Sequence, residues 1–125
     1  MTPVERARAL VGTRFRPQGR STGYGLDCLG LATIAYRVPL DRVPIGYHLR
    51  GDHGPALMDG LQRYFRPVEK AASGDLLLLE AGRGQVHLAV RTEAGFIHAD
   101  ARRGVVETPG DPPWRLLRAF RRRAR

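Results

Sequence analysis

Apolar residues recur at helical spacing in the first half of the chain and at strand spacing in the second. Val4, Ala7 and Val11 share one helical face, behind a start signal in which Thr2 is the N-cap, Pro3 the first helical residue and Glu5 the reaching partner of a capping box. Gly12 is expected to end this helix. The polar stretch from Thr13 to Gly25, broken by Pro17, Gly19, Gly23 and Gly25, predicts a loop. From Cys28 to Val38 the residues Leu31, Ile34, Ala35 and Val38 predict a largely buried helix that stops before Pro39. After an irregular segment from Leu40 to Gly54, Pro55 is expected to open a third helix carrying Leu57, Leu61 and Phe65, with Pro67 as its stop.

Beyond Gly74 the period changes. Leu76 to Leu79 form an apolar run and Val86-His87-Leu88-Ala89-Val90 alternates. Gly95 to Ala99, Val105-Val106 and Leu116 to Phe120 follow, separated by turn-rich pieces. This predicts an antiparallel sheet in the C-terminal half. Helices first and strands afterwards is an α+β pattern. There is no repeat and no long linker, so one domain is expected over residues 1–125.

Composition narrows the classes. With 42% hydrophobic residues the chain is expected to fold around a core of its own rather than stay disordered. No apolar run approaches the roughly 20 residues of a membrane span, and the polar start Met1 to Arg8 lacks a signal-peptide core, so a soluble protein made in the cytoplasm is expected. The net charge of +9 draws the chain toward polyanions such as nucleic acid or anionic wall polymer. The basic tail Arg118, Arg121, Arg122, Arg123 and Arg125 lacks interleaved aromatics and a recognised nucleic-acid motif. It therefore predicts a solvated terminus, not a specific nucleic-acid site.

The single cysteine, Cys28, excludes an internal disulfide and a thiolate-rich zinc site. It stands at a predicted helix start, where unpaired N–H groups and any nearby imidazolium favour a thiolate. If Val86 to Arg91 and Phe96 to Ala99 pair as a hairpin, Arg91 faces Phe96 and Ala89 faces His98. The pleat then puts His87 and His98 on one side and Val86, Leu88, Val90, Ile97 and Ala99 on the other. Cys28 as nucleophile, His87 as base and general acid, and His98 as orienter form one chemical reading. A three-ligand metal site on the same residues is the other, disfavoured because closely spaced Cys or His pairs are absent. His48 and His53 show no partner pattern and read as surface residues.

Gly12-Thr13, Asp27-Cys28-Leu29-Gly30, Gly74-Asp75-Leu76-Leu77, Val86-His87-Leu88-Ala89-Val90 and Phe96-Ile97-His98-Ala99 together resemble, in order and across nearly the whole chain, the NlpC family of papain-like cysteine peptidases. The resemblance implies a papain-like fold with N-terminal helices packed against a C-terminal antiparallel sheet. It implies Cys28, His87 and His98 as catalytic residues, with no metal or organic cofactor. The implied substrate is a peptidoglycan stem peptide, typically cut between D-glutamate and the diamino acid. Asp27, Phe15 and Tyr24 are the implied substrate-contacting positions. Phe15 stands where members commonly carry a tyrosine and Leu29 where a serine is frequent, with Tyr24 as the candidate spatial substitute for the missing hydroxyl. Compact versions without an export signal resemble the wall peptidases of bacteriophage tails and gene transfer particles, which implies tail or particle proteins as partners and action at the cell wall. The alternative is an NlpC-like domain without activity, serving tail assembly or wall docking.

Overall fold

The computed structural model describes residues 1–17, 19–21, 25–40, 53–82 and 85–124. Helix α1 (Pro3–Arg8) opens with both bonds of the capping box: Thr2 Oγ1 accepts from Glu5 N–H and the Glu5 carboxylate accepts from Thr2 N–H. Such a cap contributes about 1 kcal/mol. The helix is shorter than its periodicity suggested, ending with Ala9 as C-cap. Leu10 therefore takes the core position in place of Val11, which is 47% exposed. Gly12, at φ 95°, then turns the chain so that its N–H donates to the Val105 carbonyl.

The expected loop holds a two-residue ladder of β1 (Arg20–Ser21) and β2 (Gly25–Leu26), and Phe15 bridges to Leu26 in parallel. Helix α2 (Cys28–Tyr36) follows at once. It ends where Arg37 turns left-handed at φ 54°, two residues before Pro39. Its face is almost wholly apolar and buried, and it packs against α1 and the sheet. Two distant arginines satisfy its last carbonyls, since Arg6 Nε donates to Ala35 O at 2.7 Å and Arg122 Nε to Tyr36 O at 3.0 Å. Among the described residues no helix is long and apolar enough to cross a membrane.

Helix α3 spans His53–Tyr64 and buries Leu57 and Leu61. The expectation that it runs through Phe65 to a stop at Pro67 is corrected: Phe65 opens strand β3 (Phe65–Val68), which carries Pro67 within it. Proline disfavours helical dihedrals at Arg66, and β3 lies at one end of the sheet, where a missing N–H breaks no ladder. The remaining strands are β4 (Leu76–Gly82), β5 (Gln85–Arg91), β6 (Gly95–Asp100), β7 (Gly104–Pro109) and β8 (Arg115–Arg122). The six-stranded sheet has the order β3-β8-β4-β5-β6-β7, and each neighbouring pair is antiparallel.

The run Leu76–Leu79 is apolar at every position because β4 is covered on both sides. Leu76 and Leu78 join the helix-facing core with Val90 and Phe120, while Leu77 and Leu79 join a second cluster with Ala89, Phe96 and Ala119. The architecture is that of a papain-like α+β domain.

The last strand overturns the reading of the basic C-terminus as a solvated tail. β8 pairs with both β3 and β4, and Arg121, Arg122 and Arg123 are tied into the fold while Arg118 stays exposed. Arg121 forms a two-pronged bridge to the buried carboxylate of Asp75, with both N···O distances 2.9 Å. That carboxylate also accepts from Ala72 N–H at 2.8 Å. Arg123 Nε donates to Gln62 O at 3.2 Å. Buried anions persist where charge-assisted hydrogen bonds replace water, and Arg121 supplies them here.

Candidate active site

The nucleophile candidate is set by the helix that begins at it. Asp27 is the N-cap of α2, its carboxylate accepting from Gly30 N–H at 2.8 Å, so Cys28 is the first helical residue. A side chain at position 30 is excluded, because a Cβ there would lie 2.2 Å from the Gly19 carbonyl oxygen. The loop thus closes directly over the first turn and brings Phe15 to the same place. Cys28 itself is 4% exposed.

The expected hairpin register is present where β5 and β6 pair, with Val90 opposite Ile97 and Arg91 opposite Phe96. His87 and His98 consequently project from the same face, and His87 Nε2 lies 2.9 Å from His98 Nδ1. That hydrogen bond fixes the proton arithmetic. With Nε2 engaged, Nδ1 is the His87 nitrogen that remains for Cys28. For Nδ1 to accept a proton, Nε2 must already carry one and donate it to His98, which then holds its own proton on Nε2.

Burial, with a smaller contribution from His98, pushes His87 down to about 4. Burial also lowers His98, and Arg103 adds to this while Asp100 opposes it. Both rings are therefore uncharged at neutral pH. The structure holds two neutral imidazoles in this site, not the imidazolium that would favour a thiolate at the helix start.

The linkage has a definite sign. An unfolded histidine protonates near 6.5, whereas folded His87 resists protonation down to about 4. Stability is thus complete above 6.5 and is lost as pH falls between these values. Urea unfolding is expected to show a fall of up to about 2 kcal/mol from pH 7.5 to 5, and a much smaller one in His87→Gln.

Cys28, His87 and His98 all line one pocket of about 230 Å³, together with Phe15, Gln85, Asp100 and Trp114. Asp100 is held charged by the N–H groups of Arg103 and Arg102, at 2.9 and 2.8 Å. Among the described residues no three His, Cys, Asp or Glu side chains converge as a metal-ligand set.

Of the positions expected to contact substrate, Phe15 is on the pocket wall. Asp27 is wholly buried, and its carboxylate caps α2. Tyr24 and His48 lie outside the described residues, and of His53 only its place at the start of α3 is described. Asp27→Ala is expected to lower stability by about 1–2 kcal/mol in urea denaturation, with Asp27→Asn recovering most of the loss.

Asp100 and Trp114, both on the pocket wall, escaped the sequence reading. Asp100 was within reach of it, since it follows His98 by two positions in a strand and so shares its face. Trp114, the single tryptophan, gave no periodic signal because it follows Pro112-Pro113 in a turn.

No protein-family model and no curated protein matches the chain. Among solved structures, the fold is similar to the crystal structure of the NlpC/p60 domain of peptidoglycan hydrolase SagA, with a TM-score of 0.57, 23% sequence identity and 86% of each chain covered. At that identity the likeness speaks for the fold.

Proposed function

We propose that this domain is a cysteine peptidase that hydrolyses amide bonds in peptidoglycan stem peptides, with the D-glutamyl–diamino acid bond as its target. The observation that carries the reading is the meeting of Cys28, His87 and His98 in one pocket, with the imidazoles joined by a 2.9 Å hydrogen bond. The fold neighbour, described as a peptidoglycan hydrolase domain, supports the substrate class.

In this reading Cys28 Sγ attacks the carbonyl carbon while its proton passes to His87 Nδ1. The resulting imidazolium is stabilised by donating from Nε2 to neutral His98. The oxyanion is met by first-turn N–H groups of α2, those of Cys28 and Leu29. Collapse breaks the C–N bond, and His87 returns the proton to the leaving amine. His87 then takes a proton from water, which attacks the thioester. The C–S bond breaks, and the acid product leaves as Cys28 regains its proton.

A second reading, a wall-docking or tail-assembly domain without turnover, is motivated by Phe15, which offers no hydroxyl to this pocket. Incubating purified wall peptides with the wild type and Cys28→Ala, and identifying new amines by mass spectrometry, separates the two. Release by the wild type of a peptide beginning with the diamino acid is expected. Equal background release from both proteins would favour docking.

A further inference from the structure

We propose that Trp114 is a positioning residue for the imidazole pair, walling off the His87–His98 hydrogen bond from water and holding both rings in the orientation that Cys28 requires. The inference rests on the peptidase reading of the site. Its geometric basis is an aromatic box. The indole centroid lies 5.0 Å from the His87 ring, 5.2 Å from His98 and 6.1 Å from Phe96, and meets each at 66–76° between planes. Phe96 in turn lies 5.1 Å from His98. Both histidines thus pack against the same indole while sharing their hydrogen bond.

The indole is held from two directions. It packs on the outer cluster of Leu77, Leu79, Ala89 and Phe96. The turn that delivers it is tied down by Gly110 N–H donating to Ala94 O at 2.9 Å and by Arg91 bridging to Asp111 at 3.0 Å. Pro112 and Pro113 fix φ at the two preceding positions.

The imidazole pair needs such a wall. Two neutral rings joined by one hydrogen bond have a single productive proton arrangement, and protonation of His98 would turn its Nδ1 from acceptor to donor and break the contact. The groups around the pair pull in opposite directions. Asp100, from the end of β6, favours the charged forms, whereas Arg103, from the following turn, opposes charge on His98. Cys28 of α2 shares the pocket. The neighbours across the sheet are apolar, Leu79 opposite His87 and Val106 opposite His98. Exclusion of water keeps the rings neutral, and Trp114 is a large apolar side chain packed against both.

The test is a nitrogen-detected NMR titration of the imidazoles in wild type, Trp114→Ala and Trp114→Phe. In the wild type His87 is expected to stay neutral to about pH 4. In Trp114→Ala its midpoint is expected to rise by about one to two pH units, with loss of the imidazole–imidazole coupling, while Trp114→Phe stays near the wild type. Turnover of wall peptide by Trp114→Ala is expected to fall about 10²-fold in kcat, with KM changed by less than about threefold. A folded Trp114→Ala that titrates like the wild type overturns the proposal. If that variant does not fold, the wild type still decides. Its one indole should be quenched as the adjacent imidazoles protonate, and emission constant through that transition overturns the proposal too. The titration needs no turnover, so failure of the peptidase reading and failure of this role are told apart.

Discussion

Replacing Cys28 by alanine is expected to reduce kcat on wall peptide by on the order of 10⁵–10⁶-fold, close to complete loss. The size follows from what the side chain does. Without sulfur no acyl-enzyme forms, and a water molecule would have to attack the amide directly, with only substrate binding and the helix-start N–H groups left to assist. The fold should survive the change. Cys28 lies at the first turn of α2, and alanine keeps the Cβ and the helix propensity while removing one small buried atom. Circular dichroism and urea unfolding of the variant should therefore stay near the wild type while turnover disappears. A comparable loss of both would mean that Cys28 is a packing residue.

His98→Leu is expected to lower kcat about 10⁴-fold, the order seen when the third member of a nucleophile–base–orienter set is removed. In the structure His98 Nδ1 lies 2.9 Å from His87 Nε2, where the proposed mechanism needs an acceptor. Leucine fills much of the same space in the aromatic box and offers no acceptor. His87 then loses the group that sets its tautomer, and its imidazolium loses a hydrogen bond at the moment it forms. His98→Asn supplies a side-chain oxygen that can accept the same proton, so it should recover part of the activity that leucine does not. Equal activity of the two variants would show that His98 acts through packing alone.

The meeting of Cys28, His87 and His98 in one pocket was legible because its determinants are local. The capping box of α1 is written in four residues, and the apolar spacing after Cys28 marks the start of α2 in the same local way. The pleat alone decides that His87 and His98 share a face once the apolar set of β5 and β6 is turned toward the core. What escaped depends on partners far along the chain. Phe65 fits both the helical period of α3 and the strand it begins, and only the presence of β8 beside it settles the choice. Arg121 looks like part of a solvated run until Asp75, 46 residues earlier, is brought beneath it. The neutrality of His87 is chiefly a property of burial, which depends on elements far from residue 87 along the chain.

Intact-protein mass spectrometry of the wild type during turnover of a stem peptide is the most direct test of Cys28 as a nucleophile. The account predicts a transient population heavier by the acyl half of the substrate, with the adduct mapping to Cys28 after digestion and absent from Cys28→Ala. Hydrolysis without any adduct at Cys28, and undiminished in Cys28→Ala, would contradict it.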